Sequence, residues 1–494
     1  MFIKPISAIV IVIISSICLP SCTEAFLKEK PTSISYPDVR GLIAAFGDFD
    51  SDKLTDVFVI KQNLKAFQVM KHYDHGQLLQ RSKMCRPFRE RNQDLVGLIP
   101  GDFHGNAMMD VVLVSRYYEA SYYSLRLLRG NTTNFECSQV NAPPFAEVNT
   151  QPLMLDFNGD MISDLMADDR NGQRSVWLGS ANGTFEKIDF YSPTENVSMV
   201  EFPSNSIAYS NFSDTIFKQP ITDPNANAFI DLNQDGVADI FVDGKEFMEY
   251  WYADDEREYG RLPPRLITRP SGYDIIGQSA FFDVSGDDQI EHLLPVCTKE
   301  KCSILALVWY EANSTGLLYD WVTVGDNFKF VDNSTFMKFT PVHYKKNLTL
   351  PITLRHGDLN GDGYEDIVTI MTAPSGGDRV VLLENVPSSD NVVKRAFQMF
   401  AKQPNIVQPI VATFFDIKED SKLDILASTR PGIVNASQGP AIEARLNTQM
   451  FDANFIKILV ASGRCPEDQC YKEGWVEQQY RVNYGTNQPG PFIR

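Results

Sequence analysis

Seven short segments of this chain repeat one pattern: an apolar run, then Asp-x-Asp/Asn-x-Asp-x-x-x-Asp with substitutions, then a second apolar run. They begin at Asp48, Asp102, Asp156, Asp231, Asp283, Asp358 and Asp416. No single copy is long enough to bury a core. Their spacing of about 50 to 75 residues leaves room for about four strands each, the size of a propeller blade. The runs beside the loops, such as VFVI at 57–60, VVLV at 111–114 and IFV at 240–242, are short and rich in Val, Ile and Phe, which marks buried strands. The pattern predicts an all-β chain whose residues 33–450 form a seven-bladed β-propeller. Because each blade packs on its neighbours, 494 residues need not divide into several separate cores. Residues 451–494 read as the start of a further β-rich module. Two of the intervals, after Asp156 and after Asp283, exceed a minimal blade, and their surplus is expected to form long loops on one face. In two blades an apolar residue, a Gly turn and a Phe follow (Leu128-Arg129-Gly130 to Phe135, Leu178-Gly179 to Phe185), where the outer hairpin should turn.

The repeated acids suggest a chemistry. Ca²⁺ takes six to eight oxygens at roughly 2.3–2.6 Å, and a short loop can supply them from alternate residues. Positions 1, 3, 5 and 9 offer side chains and position 7 its carbonyl. Four loops carry complete sets: Asp48, Asp50, Asp52, Leu54 and Asp56; Asp156, Asn158, Asp160, Ile162 and Asp164; Asp231, Asn233, Asp235, Val237 and Asp239; Asp358, Asn360, Asp362, Tyr364 and Asp366. The fifth, with Asp283, Ser285, Asp287 and Glu291, has the longer acid at position 9. The second and seventh place His104 and Lys418 at position 3 and are expected to be empty of metal. An EF-hand is excluded, because position 12 never holds Glu and the flanks are strand-like. The expected role of the Ca²⁺ is structural: it neutralises clustered carboxylates and fixes the hairpin.

The first residues place Lys4 before an apolar run at 6–18 and small residues near 21–25, so 1–25 read as a secretory signal peptide. In that compartment cysteines pair. CTKEKC (Cys297, Cys302) and CPEDQC (Cys465, Cys470) are expected disulfide loops, with Cys85 and Cys137 a further candidate pair and zinc the alternative. Asn-x-Ser/Thr sequons at Asn131, Asn182, Asn196, Asn211, Asn313, Asn333, Asn347 and Asn435 fit a glycosylated surface. No apolar run of about 20 residues follows the leader.

The formal charge of −18 argues against nucleic acid or an anionic membrane as partner. GxSxG, HExxH, Walker A and Rossmann patterns are absent, and His72 and His75, in a polar stretch, read as a solvated pair. The chain is therefore expected not to be an enzyme.

The loops resemble FG-GAP repeats, the blade units of integrin α-subunit propellers. A closer resemblance lies in IIGQSAFFDVSGDDQIEHLLPVC (275–297), PITLRHGDLNGDGYEDIVTI (351–370), VATFFDIKEDSKLDIL (411–426) and NQPGP (487–491). These are similar to the T-cell immunomodulatory protein family, also called linkin. The resemblance implies an extracellular propeller of a single-pass type I membrane glycoprotein, with cell-surface or extracellular proteins as partners in adhesion and T-cell modulation. It also implies a further β module, a membrane helix and a short tail. This sequence stops at Arg494, so it would be a truncated, shed or secreted form. The competing expectation is a secreted carbohydrate-binding or hydrolytic propeller.

Overall fold

The computed structural model describes residues 9–14, 33–448 and 455–460, apart from loop segments of which 191–218 is the longest. Every α-helix or strand assigned among them is a strand, and seven antiparallel sheets form the blades of a propeller. Blade 1 runs Leu42–Gly47, Asp56–Ile60, Phe67–Tyr73 and Gln77–Arg81 from the inside outward. Blades 2 to 6 repeat this order around the sheets whose second strands are Asp110–Tyr117, Asp164–Asp168, Asp239–Asp243, Glu291–Cys297 and Asp366–Thr372. Blade 7 differs. Its inner three strands are Pro409–Phe415, Asp424–Thr429 and Ala441–Arg445, but its outer strand is Ser33–Arg40, from the opposite end of the chain. One sheet thus joins the two ends of the propeller and closes the ring.

Each Asp loop joins the first strand of its blade to the second, always in one register. The residue before position 1 faces position 9: Gly47 with Asp56, Gly101 with Asp110, Leu155 with Asp164, Ile230 with Asp239, Phe282 with Glu291, Gly357 with Asp366, Phe415 with Asp424. All seven loops therefore lie on one face of the ring. The core sits between blades. Phe135, on the small hairpin Gly130–Asn131 with Asn134–Phe135, leaves blade 2 to pack at a tilt against Phe49 of blade 1, their ring centroids 4.5 Å apart. The Cys85–Cys137 disulfide pins the same junction. Cys297–Cys302 is the second disulfide, while Cys465 and Cys470 lie outside the described residues.

The structure corrects the reading of the long intervals as mere loops. After Asp283 the surplus goes largely into two long strands, Ile304–Asn313 and Gly316–Asp326, and into the hairpin Val342–Lys345 with Leu348–Leu350. That hairpin joins an apolar cluster with Leu42, Leu95 and Ile410, which lie where inner strands begin. It therefore lies across the ring on the face opposite the Asp loops. The surplus after Asp156 falls mostly on 191–218, outside the described residues. Of the expected leader, Ile9–Ile14 forms a strand paired with Phe455–Val460, and the remainder of 451–494 is outside the described residues. Among the described residues no helix is long and apolar enough to cross a membrane.

Candidate metal centres

The loop fold explains why so many of its residues are Asp or Asn. Positions 4 and 6 are left-handed in all seven loops: Ser51 and Lys53, Gly105 and Ala107, Gly159 and Met161, Gln234 and Gly236, Gly286 and Asp288, Gly361 and Gly363, Glu419 and Ser421. Eight of these fourteen are not glycine, so the conformation costs about 1 kcal/mol at each and must be held by something. It is held by the acidic positions. The position 1 carboxylate accepts the N–H of position 6 in every loop, from Lys53, Ala107, Met161, Gly236, Asp288, Gly363 and Ser421. The position 5 oxygen accepts the N–H of position 7, also in every loop.

Position 9 ties the loop to its blade. In six loops its carboxylate accepts the N–H of position 2, from Phe49, Phe157, Leu232, Val284, Leu359 and Ile417. Its other oxygen reaches the residue leaving the third strand. Asp56 accepts from His72 N–H, Asp110 from Gly130, Asp164 from Gly179, Asp239 from Ala253, Asp366 from Asn385 and Asp424 from Asn447. Removing Asp164 leaves both the Phe157 and the Gly179 N–H without an acceptor, so Asp164→Ala should cost about 2–5 kcal/mol, read as a lower urea midpoint. Asp164→Asn, which keeps one acceptor, should cost less.

Those same exit residues latch neighbouring blades, which the sequence reading missed. Asn385 Nδ2 donates to the Val284 carbonyl of blade 5 at 2.9 Å, and Asn447 Nδ2 to Leu359 of blade 6 at 2.9 Å. His72 occupies the equivalent place in blade 1. It is fully buried, not solvated as expected, and its Nε2 lies 2.8 Å from the Ile417 carbonyl of blade 7. A carbonyl only accepts, so the proton sits on Nε2. His75 is outside the described residues. In blades 2 and 3 the place is taken by Gly130 and Gly179, where a Cβ would fall 2.0 Å from the Met109 carbonyl oxygen and 2.6 Å from that of Ser163.

With positions 1, 5 and 9 engaged in folding every loop, position 3 distinguishes them. In loop 1, Asp48, Asp50 and Asp52 bring three carboxylate oxygens within 4.8 Å of one another, and in loop 5 Asp283, Asp287 and Glu291 do the same. The fifth loop, the less regular in sequence, is thus as convergent as the first. Lys71 reaches Asp50 at 3.2 Å and supplies part of the countercharge in loop 1. Loops 3, 4 and 6 are drawn together differently. Asn158, Asn233 and Asn360 donate their amides to the position 5 carboxylates of Asp160, Asp235 and Asp362. In loop 4 the buried Asp231 Oδ1 nevertheless has no hydrogen-bond partner among the described residues, an open oxygen of the kind a cation takes. In loop 2, His104 fills the centre instead, with Nδ1 2.6 Å from Asp110 Oδ2. In loop 7, Lys422 stands 3.6 Å from Asp420.

The electrostatics follow from this crowding. Burial, reinforced by neighbouring loop carboxylates, pushes Asp56 and Asp366 up to about 8, and Asp164, Asp239, Glu291 and Asp424 up to about 7. Burial likewise lifts Asp48 to about 6. The residues present fit a hard, oxygen-seeking cation in loops 1, 4 and 5. Of the sequons, Asn131 and Asn182 are exposed, while the side chains of the other six lie outside the described residues.

No family model matches the chain. Whole proteins do. The T-cell immunomodulatory protein of Mus musculus is 30% identical over 92% of this chain and 69% of its own length. Its Homo sapiens counterpart is 29% identical with the same coverage, and protein linkin of Caenorhabditis elegans is 23% identical over 88% of this chain and 69% of its own. A solved BBS1N–ARL6DN complex aligns over 84% of the chain at a TM-score of 0.36 and 9% identity, too loose to carry an argument. A relative 30% identical along nearly the whole propeller, with the seven-bladed all-β fold and its paired cysteines, places this chain in the T-cell immunomodulatory protein family.

Proposed function

We propose that this chain is the protein-binding ectodomain of a cell-surface glycoprotein that acts in adhesion and in the modulation of immune cells. The observation that carries this reading is the match to T-cell immunomodulatory proteins and linkin along nearly the whole propeller. The paired cysteines Cys85–Cys137 and Cys297–Cys302 support an oxidising, secretory destination, reached through a leader within 1–25. The protein is not an enzyme in this reading; its recognition surfaces are carried on a rigid ring. Ca²⁺ is structural, held by Asp48, Asp50 and Asp52 in loop 1, by Asp283, Asp287 and Glu291 in loop 5, and through the open Asp231 oxygen in loop 4. When bound, the ion supplies countercharge to carboxylates that otherwise repel one another.

The test is a binding screen of the purified, glycosylated ectodomain against arrayed cell-surface proteins and, in parallel, arrayed glycans. Saturable binding to a protein, with no glycan bound, is the expected result. Glycan binding with no protein partner would replace this reading with a lectin.

A further inference from the structure

Four Asn-Gly pairs occur in the chain, at Asn158, Asn171, Asn182 and Asn360. Asparagine followed by glycine is open to a slow reaction in water, because no Cβ keeps the glycine nitrogen from the Asn side-chain carbon. A nitrogen whose hydrogen is already engaged must first break that bond. The four pairs differ in this respect. Gly172 N–H donates to the Asp169 carbonyl at 2.9 Å, Gly183 to the Ser180 carbonyl at 2.7 Å and Gly361 to Asp358 Oδ1 at 2.7 Å. Gly159 N–H donates to no described residue.

Asn158 is position 3 of loop 3 and is exposed, with Gly159 in the left-handed region at a φ of 71°. Both polar atoms of its side chain are already set. The Asp160 N–H donates to Asn158 Oδ1 at 3.1 Å, and Asn158 Nδ2 donates to the Asp160 carboxylate at 3.2 Å. The first contact stabilises the oxygen on which charge develops when Cγ is attacked. Asn360 in loop 6 makes the same two contacts with Asp362, but its glycine nitrogen is tied to Asp358. Asn233 in loop 4 makes them with Asp235, but Gln234 follows it. Loop 3 therefore combines a polarised amide with an unengaged glycine nitrogen.

We propose that Asn158 is a deamidation site, and that the aspartate it becomes makes loop 3 a cation site. The Gly159 nitrogen bonds to Asn158 Cγ, the Cγ–Nδ2 bond breaks, and ammonia leaves with the proton that the glycine nitrogen gives up. Water then opens the cyclic imide. Opening at Cγ leaves an aspartate, and opening at the backbone carbonyl leaves an isoaspartate whose chain runs through Cβ. The aspartate suits the loop, because loop 1 already carries Asp50 at that position before a left-handed Ser51. It also exchanges an amide for a further acid beside Asp156 and Asp160, the arrangement in which Asp48, Asp50 and Asp52 converge within 4.8 Å. The cation site rests on the structural Ca²⁺ reading; the deamidation does not.

The experiment ages the whole folded chain in warm, mildly alkaline buffer with chelator, then digests it and scores each Asn-Gly pair by mass and by its isoaspartate content. Asn158 should convert at least about fivefold faster than Asn171 or Asn360, the factor that one ordinary hydrogen bond imposes. In the urea-unfolded chain those three should react alike. Fresh wild type and Asn158→Asp are then melted with chelator and with saturating Ca²⁺. Asn158→Asp should melt lower than wild type in chelator, because like charges crowd the loop, and should gain more from Ca²⁺. Asn158 left unreacted, or reacting no faster than Asn171 and Asn360 in the folded chain, would overturn the deamidation. A gain from Ca²⁺ in Asn158→Asp no larger than that of a Ca²⁺-stabilised wild type would overturn the cation site. Indifference of both proteins to Ca²⁺ would overturn the cation site together with structural Ca²⁺, while the mass readout still decides the deamidation.

Discussion

Chelating Ca²⁺ from the folded ectodomain at pH 8 should lower its melting midpoint by roughly 5–10 °C. The size follows from linkage: each of the three sites saturated at about a hundred times its dissociation constant adds about 2.7 kcal/mol, and a chain of 494 residues shifts by about 1 °C per kcal/mol. The direction with pH is equally specific. Asp56 is raised to about 8, Glu291 to about 7 and Asp48 to about 6, against ordinary values near 4. A carboxyl whose folded pKa is raised holds its proton in the folded chain after the unfolded chain has lost it. The unfolded state then binds fewer protons, so stability falls as pH rises from about 4 to about 8. The chelated protein should therefore melt at a lower temperature at pH 8 than at pH 5.5, and saturating Ca²⁺ should remove the share of that slope set by loops 1, 4 and 5, leaving that of Asp164, Asp366 and Asp424. Asp50→Asn, which removes a converging acid that accepts no loop N–H in the seven-fold pattern, should shrink the Ca²⁺ effect more than it changes the chelated midpoint. A midpoint indifferent to chelator at both pH values would sink structural Ca²⁺.

The propeller was legible because the repeat carries its own register. An Asp at position 9 begins the second strand in six blades, and Glu291 does so in the fifth. The division of labour inside the motif was not legible. Sequence counts Asp102 and Asp416 as spare acids in defective metal loops. The structure has them capping Ala107 and Ser421 as Asp48 caps Lys53. One residue type serves both to cap backbone and to hold a cation, so composition alone cannot separate the roles. The signal that could have done so is the contrast between fixed and variable positions. Position 3 alone runs from Asp50 through His104, Asn158 and Ser285 to Lys418, while positions 1, 5 and 9 keep an acceptor. His72 was misread for a related reason. KHYDH is polar locally, but its third residue back from the turn meets a loop some 345 positions away. Only alignment of third-strand exits with Asn385 and Asn447 would have exposed it.

The ring closure yields the other large effect. A chain beginning at Gly41 should fail to give a cooperative melt and should aggregate. Ser33–Arg40 is the outer strand of blade 7, with Ile34 facing Ala444 and Tyr36 facing Ile442. Tyr36 and Val39 are 4% and 2% exposed, in a cluster that also holds Val57 and Met70 of blade 1 and Leu426 of blade 7. Losing them removes apolar burial worth about 4–6 kcal/mol and uncovers the Ala441–Arg445 edge, with its unpaired backbone groups open to other chains. Net stabilities of about 5–15 kcal/mol leave little room for such a loss. The His72–Ile417 latch crosses the same seam but cannot hold it alone, because it is a single hydrogen bond worth about 1 kcal/mol. A synthetic peptide of residues 33–40 added to the shortened chain should restore solubility and a cooperative transition, since the missing strand donates backbone bonds that any copy of it can make. A shortened chain that melts cooperatively within a few degrees of the full one, without peptide, would mean that blade 7 closes the ring with three strands. In that case the N-terminal strand is a passenger on the seam.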